Sequence, residues 1–240
     1  MTAAAPLPAA AGAASGRVPG GSGFDFPGLL RCAFGKPVTP SLWVVGSCMV
    51  ALTPLFGLGG IALLGFLVHT TRRTLEAQEF RLAEWSGFGR LLADGLRALL
   101  VLLVHVVAAN LGWLLLALVI DTAVRATGIG VAGAMGGFAL AAAGLLMGVL
   151  GFALVPSALL ALATHGRLRE AFAVAANLDL IRTNARSYGL LVLALILIFV
   201  LTGATLALCG VGIVPGIFWG VAMAGAAIGH AGLRMGLRRL

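Results

Sequence analysis

The sequence predicts an all-α fold, a polytopic transmembrane helical bundle of about five spans with two interfacial amphipathic helices. Of the 240 residues, 60% are hydrophobic and only 10% are charged, which is too little polar surface for a water-soluble protein of this length. Arginines gather beside the ends of the apolar stretches, as they do in membrane proteins. Four stretches contain no Asp, Glu, Lys or Arg, and each is longer than the length of about 20 residues that a membrane-crossing helix needs. They are residues 37–71, 98–120, 126–166 and 187–233.

The first 40 residues divide into two parts that precede the membrane domain, residues 41–240. Residues 1–23 are rich in Ala, Gly, Pro and Ser and carry Arg17 as their single charge, so we expect a disordered tail. A secretory signal peptide is not expected, because no charged segment directly precedes an apolar one. Residues 24–40 place several Phe and Leu residues beside basic ones. This pattern favours either a short amphipathic segment on the membrane or a linker with scattered aromatic residues.

The predicted crossings fix an orientation. We place them at residues 41–68, 98–120, 138–162, 188–208 and 211–234. Twelve of the 16 Lys and Arg residues then lie on one side, which we expect to be the cytoplasmic side of a prokaryotic cytoplasmic (inner) membrane. The C-terminus is then cytoplasmic and the N-terminus outside. Pro54 and the glycines from Gly57 to Gly60 leave a second possibility, in which the first span is a re-entrant hairpin and the N-terminus is inside.

Two segments between the predicted spans have the pattern of helices that lie in the membrane interface. Large apolar residues recur at helical spacing from Trp85 to Leu96 and again from Leu168 to Ile181. Because each segment precedes a pair of spans, the two units could be parallel repeats. The polar residues expected on the opposite faces are Glu84, Arg90, Asp94, Arg167, Glu170, Asn177 and Arg182.

Small residues recur every three or four positions along the third and fifth predicted spans. Without side chains, such a ridge lets two helices approach closely in lipid, where apolar burial alone does not drive helix association. We expect these ridges to pack within the chain, and a homodimer face is the alternative. The helix-packing glycines are Gly137, Gly144, Gly148, Gly212, Gly216 and Gly220.

A resemblance to a known family rests on four short segments and one further residue. They are Gly65-Phe66, Arg72-Arg73, Leu82-Ala83-Glu84-Trp85 and Asp94-Gly95-Leu96-Arg97, with Phe172 further along. This pattern resembles the uncharacterised prokaryotic membrane family catalogued as domain of unknown function 4013, over about residues 40–230. Phe66 stands where the family has tyrosine, and Ala83 where it has proline. The resemblance implies an integral membrane protein of several helices with surface helices between its spans. It implies no site residues, because no activity is established for the family.

Groups that could carry chemistry are scarce inside the predicted spans. All eight Asp and Glu residues fall outside them, and the sequence has no recognised catalytic, cofactor-binding or metal-binding motif. We therefore expect no catalytic residue, no cofactor and no metal. The candidate intramembrane polar site is His105 with Asn110 on the same helix. A neutral histidine hydrogen-bonded between helices is the alternative to a ligand or a proton relay.

The net charge of +8 lies at the ends of the predicted spans, which favours contact with anionic lipid headgroups over nucleic acid. Arg182, Arg186 and Tyr188 are the candidate headgroup contacts. The packing ridges and the paucity of intramembrane ionisable groups favour a non-enzymatic scaffold or accessory subunit, with other membrane proteins as partners. The alternative is a permease, channel or lipid-handling protein with a path beside His105 and Asn110, and a membrane enzyme comes third.

Overall fold

The fold is known from a computed structural model, which describes residues 25–34, 40–85, 87–127, 130–206 and 212–237. Over these residues the chain forms nine α-helices and no strand. The predicted disordered tail, residues 1–23, lies outside the described residues. The helices are α1 (Phe26–Phe34), α2 (Pro40–Phe56), α3 (Leu58–Ala77), α4 (Phe88–Thr127), α5 (Gly130–His165), α6 (Leu168–Ala171), α7 (Val174–Thr183), α8 (Ala185–Leu206) and α9 (Ile213–Arg234).

Among the described residues, three helices are long and apolar enough to cross a membrane. They are Phe88–Ala123, Ala185–Thr205 and Ile213–Arg234. Two shorter apolar helices, Pro40–Pro54 and Ala153–His165, accompany them. The membrane class predicted from composition is thus supported by the helices themselves, whereas the number of about five spans is not confirmed.

The first predicted span is two helices rather than one. Helix α2 ends at Phe56, Gly57 has a left-handed backbone with φ of 66°, and α3 begins at Leu58. Glycine suits this position because it has no Cβ to clash at positive φ. The two helices pack against each other, and Gly59 of α3 lies against Thr53 of α2. A single span over residues 41–68 is therefore wrong, and the chain adopts the hairpin that the Pro54 and glycine cluster allowed.

The other long helices form two more antiparallel hairpins. In the α4–α5 hairpin, the indole Nε1 of Trp113 lies 3.4 Å from the carbonyl oxygen of Leu140 and donates to it. In the α8–α9 hairpin, Thr202 lies against Gly220. Ala109 lies against Gly151 and Thr205 against Gly216, so the two helices of each pair run antiparallel and have their open ends at one end of the bundle.

The three hairpins open toward the same end of the bundle. Helices α3 and α9 run parallel, since Gly225 lies beside Thr70 and Gly229 beside Thr74. Helices α3 and α4 run antiparallel, with Gly65 beside Leu91. The start of α2 and the end of α9 consequently lie at the same end of the bundle, as in the alternative in which the first span is a hairpin.

The first predicted interfacial helix is not a separate element. Helix α4 begins at Phe88 and continues through the predicted second span to Thr127. Its first turns bury Leu91, which is 0% exposed, and Asp94, which is 6% exposed. Asp94 was expected on the polar face, and that expectation is wrong because these turns pack against α3 rather than lie flat.

The second predicted interfacial segment forms the short helices α6 and α7. Leu168, Phe172 and Ile181 pack against the core, in agreement with the apolar stripe. Asn177 was expected on the polar face but is buried, and its Nδ2 donates to the carbonyl oxygen of Ala171 at 3.0 Å. A side chain that can bond the backbone of the preceding turn takes an inward position without leaving its amide unpaired.

Helix α9 is the centre of the bundle, and α4 is its periphery. Within the most apolar stretch of α9, 61% of the residues are buried inside the protein, whereas the corresponding share in α4 is 11%. Helix α9 packs against α1, α2, α3, α5 and α8. The exposed side chains of α4 and α8 are largely Leu, Ile, Val and Phe, which is the surface that lipid tails cover.

Candidate functional site

Helices α3 and α4 cross with their backbones in contact, at a position that we call the α3–α4 junction. A methyl group placed on Gly65 would overlap the carbonyl oxygen of Leu91, and one placed on Gly95 would overlap that of Ile61. The two glycines thus face each other's helix in a reciprocal arrangement. Only glycine permits so close an approach.

An ionic cluster with a buried central ion pair lies beside this crossing. The guanidinium of Arg72 binds both carboxylate oxygens of Asp94, with Nη2 3.4 Å from Oδ1, and Nη1 of Arg97 donates to Oδ1 at 3.2 Å. The side chain of Arg72 is 14% exposed and that of Asp94 is 8% exposed. Nε of Arg72 also donates to the carbonyl oxygen of Ala163 in α5, at 3.1 Å. This cluster, Arg72, Asp94 and Arg97, connects the first hairpin to both helices of the second.

Burial determines how much this cluster contributes to the stability of the fold. Removing two charges from water is costly, and the cost is offset only when each charge has a partner and good hydrogen bonds. Asp94 has two guanidinium partners, and all three nitrogens of the Arg72 guanidinium have an acceptor. Each buried charge therefore has a partner, and the cluster stabilises the packing of α3 against α4 and α5.

An aromatic cluster closes the other side of the junction. Phe66 stacks on Trp85 with ring centroids 4.8 Å apart and packs on Phe218 of α9 at 5.3 Å. The indole Nε1 of Trp85 donates to the carbonyl oxygen of Leu42 in α2, at 3.3 Å. Ring contacts of this kind stabilise by about 1 kcal/mol beyond the area that they bury.

The segment between α3 and α4 returns along α3 and is held by threonine side chains. Oγ1 of Thr74 donates to the carbonyl oxygen of Arg81 at 3.2 Å and accepts from its backbone N–H at 3.4 Å. Oγ1 of Thr70 accepts from the N–H of Ala83 at 3.2 Å. Both threonines are fully buried. Their hydroxyls satisfy backbone groups that no helix or strand pairs.

One comparison with known proteins identifies the family. The family described as "Protein of unknown function (DUF4013)" matches residues 45–211, which include the glycine crossing and the ionic cluster of the α3–α4 junction. The chain belongs to this family. The family resemblance predicted from the sequence is confirmed, over a somewhat shorter range than expected. No curated protein and no solved structure matches the chain.

The segments that carried the family resemblance meet at the junction of this DUF4013 protein. Gly65 and Gly95 form the crossing, Arg72 and Asp94 the buried ion pair, and Trp85 packs in the aromatic cluster. Spacing in the sequence did not indicate these contacts, because the residues paired in the glycine crossing and in the Arg72–Asp94 ion pair lie more than 20 positions apart. Their shared occurrence in the family pattern was the one signal that could have pointed to them.

The two residues of the predicted polar site, His105 and Asn110, each form a hydrogen bond within α4. Nδ1 of His105 donates to the carbonyl oxygen of Val101 at 2.8 Å, and its ring lies parallel to that of Phe172 with centroids 6.2 Å apart. Nδ2 of Asn110 donates to the carbonyl oxygen of Val106 at 2.7 Å. Each side chain thus has a hydrogen-bond partner in the preceding turn of α4.

The candidate headgroup contacts separate into two groups. Arg182 and Arg186 are exposed, as a headgroup contact requires. Tyr188 is 3% exposed, and its hydroxyl donates to the carbonyl oxygen of Ala153 in α5. Its place in the interior corrects the expectation for Tyr188, because a phenol that bonds a neighbouring helix is not available to lipid.

The six predicted packing glycines differ in their surroundings. Gly216 and Gly220 leave room for the side chains of Thr205 and Thr202 in α8, and Gly144 leaves room for Trp113 in α4. Gly212 precedes the first turn of α9. Around Gly137 and Gly148, no described residue lies within 4 Å of an added Cβ. The intramolecular contacts that we expected for all six are thus seen at some positions and not at others.

Proposed function

We propose that this DUF4013 protein is a non-enzymatic scaffold or accessory subunit of a membrane assembly. The observation that carries the proposal is the open face of α5. Gly137, Ala141 and Gly148 recur on one side of this helix and are all exposed, while Gly144 between them is half-buried beside Trp113 of α4. With small residues at this spacing, a helix of another membrane protein can approach the α5 backbone closely.

The polar interior supports the same proposal. Arg72, Asp94 and Arg97 are engaged with one another, and His105 is bonded within its own helix. A transporter needs an ionisable group that changes partners as its cargo or coupling ion passes. Groups fixed in mutual bonds instead favour a role in which the bundle holds its shape.

The orientation follows from the three hairpins. They open toward the end that carries Arg72, Arg97, Arg182 and Arg234. Since Lys and Arg concentrate on the cytoplasmic side, we place this end in the cytoplasm of a prokaryotic cell, with the membrane domain in the cytoplasmic (inner) membrane. Both ends of the membrane domain are then cytoplasmic.

Cysteine labelling tests this orientation. In a background in which the native cysteines are alanine, Pro40→Cys and Gly236→Cys should react with an impermeant maleimide only after the cells are opened. Asp121→Cys, at the far end of α4, should react in intact cells. Reaction of Pro40→Cys in intact cells would contradict the proposed placement of the α2 start.

Copurification tests the scaffold proposal. The protein would be purified with a mild detergent from its native membrane, and associated proteins would be identified by mass spectrometry. The double substitution Gly137→Leu with Gly148→Leu should release the partner, because two leucines prevent close approach. The matched control is Gly203→Leu in α8, which is also exposed with no described residue within 4 Å of an added Cβ.

Two results would overturn the proposal. One is that the chain purifies alone from its native membrane. The other is that the α5 double variant retains the partner as well as the Gly203→Leu control does. A partner retained by the control and lost by the double variant places the contact on the open face of α5.

A further inference from the structure

The ionic cluster at the α3–α4 junction has more positive than negative charge. Asp94 supplies one negative charge to Arg72 and Arg97. Arg90, one turn before Asp94 on α4, is exposed and adds another positive charge. This excess makes the junction attractive to an anion.

Arg90 and Arg97 share one face of α4. Residues three, four and seven positions apart lie on the same side of a helix, so Ala93 and Asp94 lie between them on that face. Asp94 is buried, whereas Arg90, Ala93 and Arg97 are exposed. Ala93 is small, which leaves space between the two guanidinium groups.

Arg97 has hydrogen-bonding capacity beyond its ion pair. Its side chain is 47% exposed, and Nη1 is the atom that binds Asp94. A guanidinium carries five N–H donors in a fixed planar arrangement that matches the oxygens of a phosphate. Arg97 can therefore bind Asp94 with one edge and an external oxyanion with another.

The same face continues as an apolar surface. The charge-free stretch of α4 begins immediately after Arg97. Leu100 and Val104 follow on this side, and each is 42% exposed. A basic pair followed directly by exposed apolar side chains matches a phospholipid, which has a charged headgroup at the interface and acyl chains below it.

We propose that Arg90 and Arg97 bind the phosphate of an anionic phospholipid, whose acyl chains lie against Leu100 and Val104. The proposal is independent of the scaffold role, because it concerns α4 rather than the open face of α5. The ligand chemistry, a phosphate group, is shared with free inorganic phosphate. The apolar continuation of the site favours the lipid.

Lipid titration tests this site. The full chain in a neutral detergent would be titrated with short-chain phosphatidylglycerol, and bound lipid would be counted by native mass spectrometry. Parallel titrations would use short-chain phosphatidylcholine and inorganic phosphate. A basic residue near a lipid surface changes affinity by about fivefold, so we expect Arg90→Gln with Arg97→Gln to weaken phosphatidylglycerol binding by about 25-fold.

The controls separate a site from general charge attraction. Arg167→Gln with Arg169→Gln removes the same charge from two exposed arginines at the same end of the bundle, and should change affinity less than about threefold. Arg90→Gln alone leaves both ion pairs of Asp94 intact and so tests the site without touching the junction. Arg97→Lys keeps the charge but loses the planar donor arrangement, and should still weaken binding.

Three outcomes would overturn the proposal. Equal losses in the two double variants would show that binding follows net charge alone. Equal binding of phosphatidylcholine and phosphatidylglycerol would show that the anionic headgroup is not recognised. Displacement of the lipid by inorganic phosphate at equal concentration would show that the acyl chains contribute nothing and that the site takes free phosphate.

Discussion

The buried pair of Arg72 and Asp94 gives the most quantitative prediction. Asp94→Asn removes the negative charge and leaves two arginines beside a neutral amide in a site where the carboxylate side chain is only 8% exposed. Removing one partner of a buried ion pair costs about 3 to 5 kcal/mol. Arg97 is 47% exposed and can turn toward water, whereas Arg72 is 14% exposed and cannot do so freely. We therefore expect a loss near the lower limit, about 3 kcal/mol.

An exposed pair on the same helix provides the matched control. Nε of Arg125 lies 2.9 Å from Oδ2 of Asp121, and the two side chains are 78% and 49% exposed. Ion pairs in such surroundings contribute about 0 to 1 kcal/mol. Asp121→Asn removes the same charge by the same substitution, so the difference between the two variants isolates the effect of burial.

The measurement is equilibrium unfolding in mixed micelles, with increasing dodecyl sulfate and tryptophan fluorescence as the signal. Trp85 packs in the aromatic cluster at the junction, so its emission reports on this region. The double variant Arg72→Met with Asp94→Leu should recover most of the stability, because it leaves no unpaired buried charge from this pair. A loss below about 1 kcal/mol for Asp94→Asn, or one equal to that of Asp121→Asn, would refute the reasoning.

Three further substitutions test other parts of the structure. Gly95→Ala should destabilise the protein by about 3 kcal/mol, because its methyl group would overlap a carbonyl oxygen of α3. The control is Gly89→Ala, which meets no described residue within 4 Å and should leave stability unchanged in the same unfolding assay. Trp85→Phe should cost about 1 kcal/mol, because the hydrogen bond to Leu42 is lost while most of the stacking is kept. His105→Ala should leave solute flux in proteoliposomes unchanged; a loss of flux would favour the permease alternative over the scaffold.

Composition and the lengths of charge-free stretches were sufficient to predict the membrane class and an all-helical chain. They were also sufficient to find the apolar helices α8 and α9. They could not decide the first span, because residues 41–68 are long enough for one crossing and also contain Pro54 and a glycine cluster. What decided between the two is tertiary contact. Trp43 of α2 and Phe66 of α3 both pack on Phe218 of α9, which a single straight helix would not allow.

The α3–α4 junction shows a different limit of sequence reasoning. Asp94 is on the side of α4 away from the apolar stripe, so periodicity assigned it to solvent. That assignment assumes that a carboxylate is buried only at high cost. The cost is offset by Arg72, which lies 22 positions earlier in the chain. Periodicity describes one helix at a time and carries no information about a partner in another helix. It therefore could not predict the Arg72–Asp94 ion pair.

Two different devices hold the three hairpins together, and both follow from the membrane environment. Lipid tails are as apolar as leucine, so helices associate through close backbone approach and polar bonds rather than through apolar burial. The first hairpin contacts the second at Gly65 and Gly95, and the buried ion pair beside them adds polar bonds between the two hairpins. It meets the third where Gly225 and Gly229 of α9 lie against the threonine face of α3, and Oγ1 of Thr71 donates to the carbonyl oxygen of Gly225 at 3.0 Å. Helix α3 carries both contacts, so a substitution that displaces α3 should loosen the second and third hairpins together.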